Sequence, residues 1–237
     1  MKVIAFNASP NKEAGTTALI LNPFLKGMAE EGAEIELKYI YDLKIEPCRE
    51  CTKNIDFEPD LDCKIDDDLK ELYPLMNDAD LWIFASPNYL NSVTSGLKNL
   101  FDRLEPLFVP PHIYENNACY EKIRSSLTKR TTPGKVLLIS TCGLWGIENF
   151  DAIIEQTRAV ADMLGREYLP PILRPHSGVL TTLTNLGKPA SDIYEAAEKA
   201  GRQLMKQGFI DEELLQYISR ELVPKDSFLH ELSLLVR

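Results

Sequence analysis

Leu81-Trp82-Ile83-Phe84-Ala85-Ser86-Pro87-Asn88-Tyr89 joins five apolar residues directly to a polar loop containing proline. A bulky, unalternating run this short reads as a strand buried on both faces. Thr94–Leu104 then reads as a helix. The same unit recurs on either side. Upstream, Lys2–Phe6 reads as a buried strand and Asn7–Gly15 as a polar loop. Thr17, Leu21, Phe24, Leu25 and Met28 then fall at helical spacing, and Gly32 stops that helix. Glu34–Tyr41 alternates as a second strand, and Asp66-Asp67-Asp68 opens a helix carrying Leu69, Leu72 and Met76. Downstream, Val136–Ser140 reads as a strand and Thr141-Cys142-Gly143 as a tight loop. Phe150, Ile153, Ile154, Thr157, Val160 and Leu164 mark an amphipathic helix. Glu167–Ile172 is the expected fifth strand. Ile193, Ala196, Ala197, Ala200 and Leu204 mark another helix, and Asp211–Arg237 an amphipathic helical segment.

Parallel strands need a crossover each, so strands alternating with helices imply an α/β fold. The expected architecture is a doubly wound, five-stranded parallel sheet with helices on both faces. Residues 1–208 are expected to form one domain. Residues 209–237 are expected to form a C-terminal helical extension packed on that domain or on a partner subunit. Ligands of such sheets bind beyond the carboxyl ends of the strands. Here those ends are Asn7-Ala8-Ser9, Ser86-Pro87-Asn88-Tyr89 and Thr141-Cys142-Gly143, three polar loops that would converge on one edge.

Composition narrows the possible partners. With 237 residues, 44% hydrophobic and 26% charged, the chain can bury a core without disulfide or metal staples. No apolar run approaches the ~18 residues needed to cross a bilayer. The start, Met1–Phe6, lacks the apolar core of a signal peptide, so a cytoplasmic protein is expected. The net charge of −10 repels phosphate backbones and anionic lipids, which disfavours nucleic acid and membrane partners. Five cysteines make a structural disulfide framework a poor reading.

The first loop, Ser9-Pro10-Asn11-Lys12-Glu13-Ala14-Gly15-Thr16-Thr17, leads from a strand into a helix. Unpaired backbone N–H groups and the helix dipole suit an anion there, and three hydroxyls can donate to phosphate oxygens. The bland alternative is that Thr16 or Thr17 merely caps the helix. With one glycine, the loop is neither a Walker loop nor a dinucleotide fingerprint.

Taken together, Lys2–Pro10, Gly15-Thr16-Thr17, Ser86-Pro87-Asn88-Tyr89 with Leu97-Lys98 and Asp102-Arg103, and Ser140–Gly143 resemble the flavodoxin-like NAD(P)H-dependent FMN reductases. The branch that contains the iron–sulfur flavoproteins looks most similar. The resemblance implies FMN as cofactor and NAD(P)H as electron donor. Ser9, Asn11, Thr16 and Thr17 would hold the FMN phosphate. Pro87, Asn88, Tyr89 and Leu90 would line the isoalloxazine ring, and Thr141, Cys142 and Gly143 would approach its other edge. The flavin carries the chemistry, so no catalytic side chain is required. Lys98, Asp102 and Arg103 are expected to be structural, with a solvated ion pair as the default. Three positions depart from the family pattern. Ala8 stands where glycine is frequent, Asn11 where arginine is common, and Thr16 where asparagine is usual. Lys12 is the nearby cation available as a substitute, with Glu13 beside it.

In the iron–sulfur relatives four closely spaced cysteines ligate a cluster. Here Cys48-Arg49-Glu50-Cys51 is followed by Asn54 where a third would stand, and Cys63 lies beyond an acidic insert. Residues 46–71 hold ten acidic and four basic side chains, a net of −6 that disfavours thiolates. No cluster or other metal site is expected. The three thiols are more simply loop residues than a reactive redox pair. His112, His176 and His230 share no ligand spacing and are expected at the surface or in loops. Glu105–Gly134 is long for a connection and aromatic, and the tail carries Phe228, Leu229, Leu232, Leu235 and Val236 as a stripe. Both features point to a homodimer or homotetramer.

Three functions remain open at this level. The first is an oxidoreductase that passes electrons from NAD(P)H through flavin to a small-molecule acceptor (a quinone, nitro or azo compound, or free flavin) or to a protein. The second is a flavodoxin-like electron carrier. The third is a scaffold that has lost flavin. The colour of the purified protein separates the last from the others.

Overall fold

The computed structural model describes residues 1–51, 63–107, 134–188 and 190–235, with the side chains of all except 105 and 231–235. Most of the long connection, together with Asn54, His112, Cys119 and Val236, lies outside the described residues.

Strands β1 (Lys2–Asn7), β2 (Glu34–Tyr39), β3 (Leu81–Pro87) and β4 (Lys135–Thr141) form a parallel sheet in the order β2-β1-β3-β4. The expected fifth strand is two short ones, β5 (Glu167–Tyr168) and β6 (Ile172–Arg174), and both pair with β4. Pro170-Pro171 stands between them, and proline has no N–H to give to a ladder. The sheet is therefore six-stranded in five positions. Register runs Val3↔Leu81 and Leu81↔Lys135, so the strand ends that carry the polar loops lie side by side.

Eight helices are described: α1 (Thr16–Glu30), α2 (Leu69–Asp78), α3 (Ser95–Asp102), α4 (Asp151–Met163), α5 (Gly178–Asn185), α6 (Ser191–Gln207), α7 (Glu212–Ser219) and α8 (Lys225–Leu235). Alternation along the strands sorts them onto two faces. Val3, Ala5, Leu81, Ile83, Leu137 and Ile139 point to the α1/α6 side, with Phe24, Met28, Ile193 and Ala197. Ile4, Phe6, Trp82, Phe84, Val136 and Leu138 point to the α2/α3/α4 side, with Leu72, Leu97 and Ile153. Both faces of the central strands are buried, which accounts for their continuous apolar sequence. α1 and α6 touch backbone to backbone. A Cβ on Gly27 would sit 1.9 Å from the Glu198 carbonyl oxygen, and one on Gly201 would sit 2.1 Å from that of Phe24.

One further expectation is corrected, and two details are added. The second strand ends at Tyr39, and Ile40–Asp42 turns as a 3-10 helix. The C-terminal segment is two helices, with Pro224 between them, and Ile218 of α7 is buried in the α1/α6 core. Gly178–Asn185 is helical although its threonines gave no helical signal.

Candidate cofactor site

The three strand-end loops meet, held by a lattice of buried hydroxyls. Thr94 caps α3 and donates its hydroxyl to the Ala8 carbonyl at 2.9 Å, joining the first loop to the second. Ser86 Oγ accepts from the Thr94 N–H at 3.2 Å, and Ser140 Oγ donates to the Ser86 carbonyl at 2.8 Å. The Asn88 N–H donates to the Thr141 carbonyl at 2.8 Å, joining the second loop to the third. The Thr17 and Thr141 hydroxyls are 3.0 Å apart, and Thr16 lies 3.4 Å from Thr141, which closes the circuit. Sequence reasoning placed Ser86 and Ser140 at strand ends and Thr94 at a helix start, but gave none of them a role. Their signal was a hydroxyl at the end of an otherwise apolar strand or at the start of a helix.

Within the first loop, Asn7 Oδ1 accepts from the Ser9 N–H and Ser9 Oγ from the Asn11 N–H. Gly15 permits this fold, because a Cβ there would lie 2.4 Å from Ser9 Oγ. The first turn of α1 holds no acidic residue. Thr16 is half-buried and Asn11 exposed, whereas Ser9 and Thr17 are buried. Thr17 is thus committed to Thr141. Lys12 does not face this loop's helix end: its amine pairs with Asp42, while Glu13 accepts from the Tyr39 hydroxyl. An anion here would meet neutral N–H and O–H donors.

In the second loop, Pro87 is buried and ends β3. Tyr89 and Ser92 form an antiparallel bridge around Leu90 and Asn91, whose φ values are +50° and +59°. Two consecutive positive φ angles mark a type I′ hairpin turn, where asparagine and glycine are favoured and leucine is not. Tyr89 is half-exposed and Leu90 wholly exposed. Asn88 donates to the Asn149 carbonyl at 2.6 Å, while its Oδ1 is buried without a partner.

In the third loop, the Cys142 N–H donates to the Arg174 carbonyl and the Cys142 carbonyl accepts from the Ser177 N–H. Its thiol turns inward to the Leu144 N–H, and burial pushes that thiol up. Gly143 is exposed, with nothing within 4 Å of where a Cβ would stand. Behind this loop, His176 is buried at a φ of +38° and stacks on Trp145 at 4.3 Å; Phe228 of α8 lies 5.2 Å from Trp145. His176 thus lies in a loop, one of the two expected placements, but buried and not at the surface. His230 is exposed.

These residues fit a flat, anionic, hydrogen-bonding ligand. The orphaned Asn88 acceptor requires a donor, the floor at Gly143 is open, and the α1 terminus is free of acids. The chain also matches the family described as NADPH-dependent FMN reductase over residues 1–143, more than half of its 237. The chain belongs to that family. FMN, with a reduced nicotinamide as donor, is the cofactor pairing this membership carries.

Among curated relatives, an iron–sulfur flavoprotein of Methanocaldococcus jannaschii is 38% identical over 107 residues, 45% of this chain and 53% of the relative. One of Methanosarcina thermophila is 34% identical over 105 residues, 44% and 52% respectively. The chain spans about half the length of the curated relatives it matches. Among solved structures, an NAD(P)H:quinone oxidoreductase from Methanothermobacter marburgensis superposes with a TM-score of 0.60 at 18% identity, covering 86% of this chain and 96% of that one. An azoreductase from Bacillus anthracis gives 0.59 at 13%, covering 86% and 99%. These likenesses establish the flavodoxin-like fold.

The iron–sulfur name of the relatives raises the question of a cluster. Cys48, Cys51 and Cys63 line one narrow pocket, and among the described residues no fourth cysteine joins them: Cys142 belongs to the loop after β4. Among the described residues, no three Cys, His, Asp or Glu side chains are grouped to hold a metal ion. The described residues alone do not complete a four-thiolate set, and Cys119 lies outside them. The cysteine segment is instead tied down by carboxylates. Asp67 accepts from the Glu46 and Leu69 N–H groups, and Asp68 from that of Lys44. Arg103, expected to be solvated, is 2% exposed and forms a forked pair with Asp67 at 2.6 and 3.1 Å. Lys98 and Asp102 form the exposed pair.

Proposed function

We propose that the chain is an FMN-dependent oxidoreductase that moves electrons from NAD(P)H to a small-molecule acceptor. The observation that carries this reading is the orphaned Asn88 Oδ1 set among three interlocked loops at the carboxyl edge of the sheet. Ser9, Asn11, Thr16 and the first N–H groups of α1 would hold the phosphate, with Thr17 fixing the loop through Thr141. Pro87, Asn88, Tyr89 and Leu90 would form one wall of the ring site, and Thr141, Cys142 and Gly143 the other. FMN, when bound, supplies hydride acceptance and electron release. The protein orients it and aims backbone donors at its polar edge.

The reading extends to assembly. Tyr89, Leu90, Leu144 and Ile147 expose apolar surface in the loops after β3 and β4, which supports a second copy covering the site. No helix among the described residues is long and apolar enough to cross a membrane.

The test is an absorption spectrum of the purified chain with added FMN, followed by anaerobic NADH and NADPH. A bound-flavin spectrum that bleaches on nicotinamide addition and recovers with a quinone supports the reading. Flavin that binds but is not reduced by either nicotinamide overturns it.

A further inference from the structure

Resting on the reading that FMN binds at the three loops, we propose that the buried Arg174 is the positive charge that selects a phosphorylated flavin, acting on the phosphate through the protein interior and not by contact. Arg174 ends β6 and is fully buried. Its three donors go to uncharged acceptors. Nε donates to the Pro175 carbonyl at 2.9 Å, Nη1 to the Ile218 carbonyl at 2.6 Å and Nη2 to His176 Nε2. Among the described residues no carboxylate pairs with it. The charged group that bears on it is another cation, Arg220, which is itself paired with Asp192. Burial first and Arg220 second push the guanidinium down to about 10, so it stays protonated at neutral pH. Ile218 lies in the last turn of α7, and that helix end carries a partial negative charge of about half a unit. The rest of the charge is unanswered. A guanidinium taken out of water without a counter-ion is costly, and an anion positioned nearby would offset that cost.

The fold sets this charge beside the first loop. Arg174 is the register partner of Thr141, on neighbouring strands about 4.8 Å apart. Arg174 shares the face of Ile172, and Thr141 that of Ile139; both isoleucines belong to the α1/α6 core. Thr141 in turn meets the Thr17 and Thr16 hydroxyls in the first turn of α1. Arg174, Thr141 and Thr17 are all buried, so the field crosses protein and not solvent, where it is far less screened. The loop offers no such charge of its own. Asn11 is neutral, Lys12 is held by Asp42, and the first turn of α1 holds no acid to oppose an anion. A phosphate there would meet neutral donors in front and an unanswered cation behind. Riboflavin, with a hydroxyl in place of the phosphate, would gain nothing from that cation.

The test compares FMN with riboflavin by fluorescence titration of the full chain as wild type, Arg174→Met and Arg174→Gln. Glutamine keeps a donor for one of the two carbonyls and methionine keeps none, so the variants differ in hydrogen bonding and agree in charge. In both, FMN affinity should fall about tenfold while riboflavin affinity stays within about twofold. Inorganic phosphate should raise the thermal midpoint of the wild type more than that of either variant. Equal losses for the two flavins would give Arg174 a purely structural role and overturn the proposal. So would an unchanged preference for FMN in the variants, or a wild type that does not prefer FMN to riboflavin; that last comparison decides even where neither variant folds. No arm reads reduction by a nicotinamide. Flavin that binds with this preference but is not reduced would therefore overturn the oxidoreductase reading alone.

Discussion

Thr17 and Thr141 stand 124 positions apart in the chain, and their hydroxyl oxygens lie 3.0 Å apart at the carboxyl edge of the sheet. One lies in the first turn of α1 and the other ends β4, and both are buried. A buried hydroxyl that loses its partner costs about 1–3 kcal/mol. Thr16 offers Thr141 a second partner at 3.4 Å, so the two sites are unequal. Thr17→Val should cost about 1 kcal/mol and Thr141→Val about 2. The double variant should be no worse than Thr141→Val alone. Urea unfolding of the three variants checks this; simple additivity would mean that the hydroxyls do not interact.

Thr16→Glu separates binding from folding. A carboxylate in the first turn of a helix favours the helix, so stability should hold or rise slightly. The same carboxylate would face the FMN phosphate, and affinity should fall by roughly two orders of magnitude or more. Riboflavin, which lacks the phosphate, should bind both proteins alike. Fluorescence titration with the two flavins reads the difference, and equal FMN affinity would move the phosphate elsewhere.

The Asp67–Arg103 pair sets an acid limit on stability. Both side chains are essentially fully buried. Burial alone would push the Asp67 carboxyl up. The Arg103 guanidinium and the Glu46 and Leu69 N–H groups overcome this and hold it below its usual value. A carboxylate depressed on folding contributes its full share above about pH 4, and that share is lost as pH falls through the folded value. Asp67→Asn should cost about 3–5 kcal/mol at neutral pH, because it strands a buried guanidinium. It should also remove this acid-sensitive component from the unfolding profile.

Much of this architecture is written in local sequence. The continuous apolar runs within Lys2–Asn7 and Leu81–Pro87 mark strands buried on both faces, and the polar strand ends mark the candidate site. What escapes is decided at long range. Arg103 lies next to Asp102 in the chain but answers Asp67, 36 positions away. Lys12 lies next to the phosphate loop but answers Asp42. His176 gives no signal until Trp145 stacks on it. Residue spacing reports a helix face or a strand face. It does not report which cation a distant carboxylate will claim.

His176 adds a second pH dependence, in a different window. Burial first and the neighbouring Arg174 second push its imidazole down to about 4. Its Nε2 accepts from Arg174 Nη2 and from the Leu222 N–H, so a proton there would set donor against donor. The unfolded chain takes up that proton near pH 6.5, so stability should fall as pH drops from about 6.5 towards 4. The steepest slope should be about 1.4 kcal/mol per pH unit. His176→Asn tolerates the positive φ and does not titrate, so it should flatten the profile in this window while leaving the Asp67 component below pH 4. Thermal melts from pH 4 to pH 8 distinguish the two.

Leu90 holds a left-handed backbone position in the second loop. At φ +50°, wholly exposed, it occupies a turn that asparagine or glycine would fill without strain. Strain of this kind persists where a side chain is needed. Leu90→Asn should therefore raise stability by about 1 kcal/mol, since a left-handed leucine is the costlier residue. If the side chain walls the ring site, the same change should weaken FMN binding several-fold and leave the phosphate contribution intact. Inorganic phosphate should then bind both proteins with the same affinity. A variant that is both more stable and unchanged in flavin affinity would remove Leu90 from the site and leave the turn without a functional reason for its leucine.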